Sequence, residues 1–279
     1  MSAVRVVTDS SCDLPTSTIE GHGIVVVPLD VRLGNDGPEV TRNFTPEEFW
    51  ERCAKATELP ETSAPSPGAF RDAFLAAKSD GHDGVVCVTI SGAMSGTYQA
   101  ACAGAKEVEG DIDVQVVDSR FPSLGQGLLV IEAARRAEAG EKPEQIADAV
   151  KSTIPKVRLY GMIDTLENLR RGGRIGGAEA FVGSLLSFKP IIEVRDGIVE
   201  KESRQRTRTR ALQYIVEKVK NAGEIADLGI LHSMAPDIDE FVSMVAEVYP
   251  REKMMVGIIG PVIGTHAGPG AAGVSFRLA

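Results

Sequence analysis

Short apolar runs recur along this chain, and several of them end abruptly in Ser, Thr, Asp or Gly. Residues 85–90 (V-V-C-V-T-I) have the β-branched, continuous apolar character of a strand buried on both faces. Residues 91–96 (S-G-A-M-S-G) then predict a loop whose backbone can approach a ligand. From Thr97 a helix is expected, with Tyr98, Ala101, Cys102 and Ala105 at helical spacing. A strand that runs through such a loop into a helix N-terminus offers free N–H groups and a positive dipole end to an anion.

The same arrangement occurs twice more. Residues 4–7 predict a strand that enters Thr8-Asp9-Ser10-Ser11, with a helix starting at Asp13-Leu14-Pro15. Residues 114–117 predict a strand that enters Asp118-Ser119, followed by a helix over 124–139 that Gly140 ends. Between them, 24–31 is expected as one strand and 34–43 as a loop. Thr45-Pro46-Glu47-Glu48 opens a helix carrying Phe49, Trp50 and Cys53 inward. Thr62 and Ser63 fall in a loop before a helix capped by Ser66-Pro67, with Phe70, Phe74 and Ala77 on its inner side. Three strands ending in polar loops before helices predict a doubly wound, mainly parallel sheet with a ligand crevice at one edge. Asp9 and Asp118 serve equally well as helix caps.

The chain changes character around 151–160, so two domains are expected, 1–157 and 158–279, both α/β. In the second, 164–175 is a helical turn stopped by Gly172-Gly173, and 178–188 an apolar helix containing Phe181, Leu185 and Leu186. Residues 189–194 and 198–202 flank Asp196-Gly197, a hairpin signal. A helix over 210–221, a strand over 228–231, a helix over 237–248 and a strand over 254–259 complete it. A hairpin among α/β units requires a mixed sheet.

Composition narrows the function. The net charge of −9 and an aromatic content of 5% disfavour a nucleic-acid or anionic-membrane surface. The four cysteines (Cys12, Cys53, Cys87, Cys102) are scattered, which fits a reducing, cytoplasmic setting. No apolar run spans a bilayer, and the first residues lack signal-peptide order.

Several motifs carry no chemistry. G-P-G-A-A-G at 268–273 matches a dinucleotide pattern, yet the chain ends six residues later, without the helix and acid that pattern needs. Ser95, His266 and Asp118 make a nominal triad, but G-A-M-S-G is not a nucleophile elbow. The histidines lack metal spacing, so no metal site is expected. His266 stands out because it follows a predicted strand in the loop I-G-T-H-A-G-P-G, where it is either a site residue or a solvent-exposed turn histidine. Arg204, Arg206, Arg208 and Arg210 alternate and would share a face of an extended segment, either a solvated charged face or a docking patch for an acidic partner or a phosphate.

Taken together, V-T-D-S-S-C-D-L (7–14), T-S-A-P-S-P (62–67), S-G-A-M-S-G-T-Y-Q-A (91–100), E-N-L-R-R-G-G-R-I (167–175) and G-T-H-A-G-P-G (264–270) resemble the DegV family of bacterial fatty-acid-binding proteins. The resemblance covers nearly the whole chain. It implies two α/β domains, a buried acyl chain, and a carboxylate held by Thr62 and Ser95, with Ser63, Ser91, Gly96 and His266 in the same ligand-binding set. It also implies a separate fatty acid kinase as partner, meeting Arg170, Arg174 and Arg206, with no catalytic residue and no cofactor in this chain beyond the bound fatty acid or its acyl phosphate. Met94 stands where leucine is usual and Gly92 where a second serine is common. The alternative is a phosphotransfer or acyl-transfer enzyme using Ser95 or His266 covalently.

Overall fold

The computed structural model describes residues 4–34, 39–40, 45–181 and 188–279. The N-terminal half contains β1 (Val4–Asp9), α1 (Thr16–Gly21), β2 (Val25–Val27), β3 (Asp30–Arg32), β4 (Glu39–Val40), α2 (Pro46–Lys55), β5 (Glu61–Ser63), α3 (Pro67–Ser79), β6 (Gly84–Thr89), α4 (Thr97–Glu107), β7 (Asp113–Asp118), α5 (Ser123–Glu138) and α6 (Pro143–Thr153). The C-terminal half contains β8 (Val157–Met162), α7 (Glu167–Arg171), β9 (Lys189–Arg195), β10 (Ile198–Gln205), α8 (Arg208–Lys220), β11 (Ile225–His232), α9 (Ile238–Ala246), β12 (Met254–Ile258), α10 (Pro261–Ala267) and β13 (Ala272–Leu278).

The first sheet has the order β2-β1-β6-β7, with every pairing parallel. Its strands are apolar on both sides because helices cover both: Phe70 and Phe74 of α3 pack on one face, and Leu129, Val130 and Ala133 of α5 on the other. The second sheet, β10-β9-β8-β13-β11-β12, is mixed as expected. Asp196 and Gly197, both at positive φ, close the β9–β10 hairpin.

The expected strand over 24–31 is two strands in different sheets. Pro28 has no N–H for a ladder, and the chain turns there: β2 pairs with β1, while β3 pairs with β5 and β4 in a small antiparallel sheet. Thr62 and Ser63 therefore lie on a strand rather than in a loop. The helix expected over 178–188 is a 3-10 turn, Gly176–Phe181, and Leu185 and Leu186 lie outside the described residues, as does most of the loop expected over 34–43. The four arginines do not share an extended face, because the strand ends at Gln205 and Thr207 caps α8 through the Arg210 N–H. Arg208 turns inward onto Asp237, Asp164 and the Gly270 carbonyl.

α5 lies between the two sheets, with eleven of its sixteen residues buried. A helix apolar on most sides requires such a place. Its one fully buried polar side chain, Gln126, ties the parallel sheet together. Gln126 Nε2 donates to Thr8 Oγ1 and Asp9 Oδ2, 3.0 Å each. The fully buried Asp9 also accepts from the Ile90 N–H at 2.8 Å and the Ser11 N–H at 3.0 Å. Burial pushes the Asp9 carboxyl up, and these bonds oppose that shift. Asp118 likewise braces loops, accepting from the N–H groups of Gly92 (3.1 Å) and Arg120 (2.8 Å). Gln126→Leu leaves two buried acceptors short of a donor. It should destabilise the protein by about 1–3 kcal/mol, seen as a lower urea midpoint at unchanged m-value.

Candidate functional site

The second sheet has one face covered by helices and one only partly covered. Tyr160, Met162, Ile191, Ile230, Val274 and Phe276 point to α8 and α9, where Leu212, Ile215 and Phe241 meet them. The alternate residues Leu159, Gly161, Ile163, Ile192, Val194, Gly273 and Ser275 face the N-terminal half. α5 covers only part of that face, with Leu124 set against Gly229. Over the rest lies a cavity of about 130 Å³, roughly ten times the minimum that holds a water. Leu29, Ile90, Met94 and Pro122 close it from the N-terminal half, and Leu169, Val262 and Ile263 from the C-terminal half.

The wall of this cavity is largely apolar; Ser123 and Ser275 add single hydroxyls, and Thr62, Ser95, Arg174 and His266 make its polar end. Each arrives on a different element. β5 brings Thr62 through its pairing with Val31 of β3. The small sheet is held down by Phe49 and Trp50 of α2, which pack on Val31 and Val262. Trp50 Nε1 donates to the Ile259 carbonyl at 3.1 Å. Ser95 ends the loop after β6, where its Oγ lies 2.8 Å from Thr97 Oγ1 and accepts the Thr97 N–H at 3.3 Å. His266 sits in the last turn of α10, not in the loop expected from the glycines around it. Arg174 reaches across, its Nε donating to the Met94 carbonyl at 2.9 Å and its guanidinium to Gly172.

Thr62 Oγ1 and His266 Nε2 are 3.0 Å apart, a hydrogen bond joining the two halves of the chain. His266 Nδ1 is buried without a partner. It lies against Gly172, where an added Cβ would come within 2.4 Å of it. Gly172 of the R-R-G-G-R segment is thus small because the imidazole occupies its side-chain space. Burial, and then the Arg174 charge, push the His266 pKa down to about 4, so the ring is neutral at neutral pH. A second cavity, of about 440 Å³, lies outside the same residues and is lined by Glu58, Glu61, Asn168, Arg171 and Thr265 as well. Thr62, His266 and Arg174 line both cavities.

The remaining predicted residues are placed elsewhere. Ser91 is buried outside the cavity lining, and its hydroxyl donates to the Gly197 carbonyl at 2.6 Å, which ties the loop after β6 to the hairpin. Ser63 is exposed on β5, and Gly96 is exposed at the start of α4. Arg170 and Arg206 are exposed outside both cavities. A side chain at Gly92 would meet Asp118 Oδ2 at 2.9 Å, which accounts for the missing serine. Three features escaped the sequence reading. Ile146, Ala147 and Val150 mark α6 at helical spacing behind Pro143. Val274, Phe276 and Leu278 alternate with Gly273, Ser275 and Arg277, the period of β13. The apolar lining from β8, β9 and β11 carries no local signal, because every buried strand looks alike.

Comparison with known proteins agrees with this architecture. The sequence profile of the DegV family, a family described as uncharacterised proteins, matches residues 3–278. The chain belongs to the DegV family. It is 33% identical over 284 residues to a DegV domain-containing protein of Caldanaerobacter subterraneus, covering 99% of each. Among solved DegV structures, a fatty-acid-binding protein from Thermus thermophilus is 33% identical with a TM-score of 0.91, covering 99% of this chain and 100% of that one. DegV of Bacillus subtilis, also a fatty acid binding protein, is 30% identical with a TM-score of 0.88 over the full length of both. Among the described residues no helix is long and apolar enough to cross a membrane.

The site predicts a pH dependence. Unfolded, His266 takes a proton below about pH 6.5; folded, it does not until about pH 4. The unfolded chain therefore binds the extra proton in that window, and stability present above it is lost as pH falls through it. Glutamine can keep a hydrogen bond to Thr62 and does not titrate. His266→Gln should lose less stability than the parent between neutral pH and about pH 4.5, measured by thermal melts; equal losses would show that His266 does not carry this dependence.

Proposed function

We propose that the chain binds a long-chain fatty acid in the cavity, with its carboxylate on Thr62 and Ser95, and presents that carboxylate to a separate ATP-dependent fatty acid kinase in the cytoplasm. The observation that carries the reading is the lining of the cavity: largely apolar, with single hydroxyls at Ser123 and Ser275, and with the Thr62 and Ser95 hydroxyls, a neutral imidazole and one guanidinium making its polar end. An acyl tail gains about 0.8 kcal/mol for each buried methylene, so the tail supplies most of the affinity and the polar end orients the head. The fatty acids bound by the Thermus thermophilus and Bacillus subtilis proteins fit the same chemistry.

The kinase half of the proposal rests on the outer cavity. A carboxylate held on Thr62 and Ser95, beside His266, stands close to the wall that Thr62 and His266 give to both cavities, so a partner can reach it from the polar side. Hydroxyl donors suit this task because they hold an anion without a buried permanent charge, and the head can leave as an acyl phosphate. The covalent alternative has less support. The hydrogen-bond partners of Ser95 Oγ are the hydroxyl and N–H of Thr97, and neither is a general base.

Native mass spectrometry of the purified protein should show a non-covalent fatty acid. Thr62→Ala and Ser95→Ala should each weaken fatty acid binding by about 1–3 kcal/mol, the cost of leaving a charged acceptor short of a donor. Full retention of lipid by both variants contradicts the assignment. Arg206→Ala should spare binding and slow phosphorylation by the kinase, with the stronger salt dependence in the parent. A phosphohistidine at His266 during turnover would replace the carrier by a phosphotransferase.

A further inference from the structure

Two glycines face each other across neighbouring strands on the cavity side of the second sheet, Gly161 of β8 and Gly273 of β13. Glycine inside a strand weakens it and marks a close approach of backbone or ligand. The two have different reasons. A Cβ on Gly273 would come within 2.5 Å of the Tyr160 carbonyl oxygen and 3.1 Å of Gly161 Cα, so backbone packing requires glycine there. A Cβ on Gly161 would meet only side chains at ordinary contact distance: Ile192 Cδ1 at 3.6 Å, Ile192 Cγ1 at 3.8 Å and Ile163 Cδ1 at 3.9 Å. Gly161 has no positive φ to demand glycine either. Neither backbone conformation nor packing accounts for it, yet it lines the cavity.

Its place along β8 gives the absence of a side chain a use. The strand leads through Asp164 and Thr165 to α7, whose Asn168 donates to Thr265 beside His266 and whose following Gly172 packs on the imidazole. The C-terminal end of β8 is thus the end nearer the polar head site. The cavity-facing positions Ile163, Gly161 and Leu159 recede from it by roughly 7 Å per step. The middle step is bare backbone between two large side chains, with Ile192 of β9 on one flank and Gly273 on the other. This is a trough across the sheet floor.

We infer that Gly161 is where the acyl tail crosses the sheet, and that its missing side chain sets the length of tail the cavity accepts. The inference rests on the fatty-acid reading above. Any side chain there beyond a methyl is flanked by Ile163 and Ile192 and has to project into the cavity, where it displaces the distal methylenes. The head contacts at Thr62 and Ser95 stay as they are.

The test is the affinity of the parent, Gly161→Ala and Gly161→Val for saturated fatty acids of graded length, with a thermal melt of each protein. Displacing about two methylenes costs roughly tenfold in affinity. Gly161→Val should therefore bind the eighteen-carbon acid about tenfold more weakly while keeping the affinity of the parent for the ten-carbon acid. Gly161→Ala, which fits without moving a neighbour, should melt no lower than the parent and show a smaller shift of the same kind. An unchanged length profile in both variants overturns the inference, as does a loss equal at every length. If the parent itself binds no fatty acid of any length, the functional proposal fails instead.

Discussion

A sheet has two faces to cover, and the organisation of this protein follows from how its second sheet is covered. α8 and α9 cover one face. The other is shared between α5, which also serves the parallel sheet, and a set of loops and short elements from both halves. One helix cannot seal six strands, because its apolar stripe is about as wide as two of them. The uncovered part of the sheet becomes a largely apolar cavity, closed by Leu29, Ile90, Met94 and Pro122 from far away in sequence and by Leu169, Val262 and Ile263 from segments that follow its own strands. The Asp9–Gln126 knot matters in that setting: it fixes α5 on the parallel sheet, and α5 defines the edge of the cavity.

The polar end follows the same logic of scarcity. Four side chains from four elements converge on the rim, and only one of them carries a permanent charge. Arg174 is exposed and bonded to the backbone of Met94, so its charge stays solvated while its field reaches the site. His266 is kept neutral by burial and by that same arginine. The result is a site that favours an anion without a buried ion pair, whose desolvation would be costly. Thr62 and His266 satisfy each other with one hydrogen bond, and an anion arriving there finds both as potential donors.

Much of this was legible in the sequence, and the rest was hidden for physical reasons. The parallel sheet, the capped helices and the hairpin at Asp196-Gly197 announce themselves through local chemistry: β-branched runs, Thr45 with Glu48, and a pair of turn residues. Thr62, Ser95 and His266 stand in Ser/Thr- and Gly-rich motifs, and all three line the same cavity. What failed was anything decided at a distance. The glycines around His266 suggest a loop, but Gly264 is there because Trp50 and Phe49 pack against it, and the segment is helical. Arg208 resembles its alternating neighbours and yet is folded into an ion-pair cluster by Asp164 and Asp237, residues 44 and 29 positions away. Ser91 and Asp118 have the composition of ligand-binding loops, yet Ser91 spends its hydroxyl on the seam between the halves and Asp118 its carboxylate on bracing loops of the N-terminal half.

The central claim is that the carboxylate of a fatty acid rests against Thr62 and Ser95 while its tail lies on the second sheet. Carbon-13 NMR of a carboxyl-labelled long-chain fatty acid bound to the protein tests this most directly. Hydroxyl donors and the nearby Arg174 favour the ionised head. The bound carboxyl should thus give a resonance distinct from the free acid, keep its ionised position below the pH at which the free acid titrates, and move in Thr62→Ala. A bound resonance that titrates together with the free acid and is indifferent to Thr62 would contradict the account.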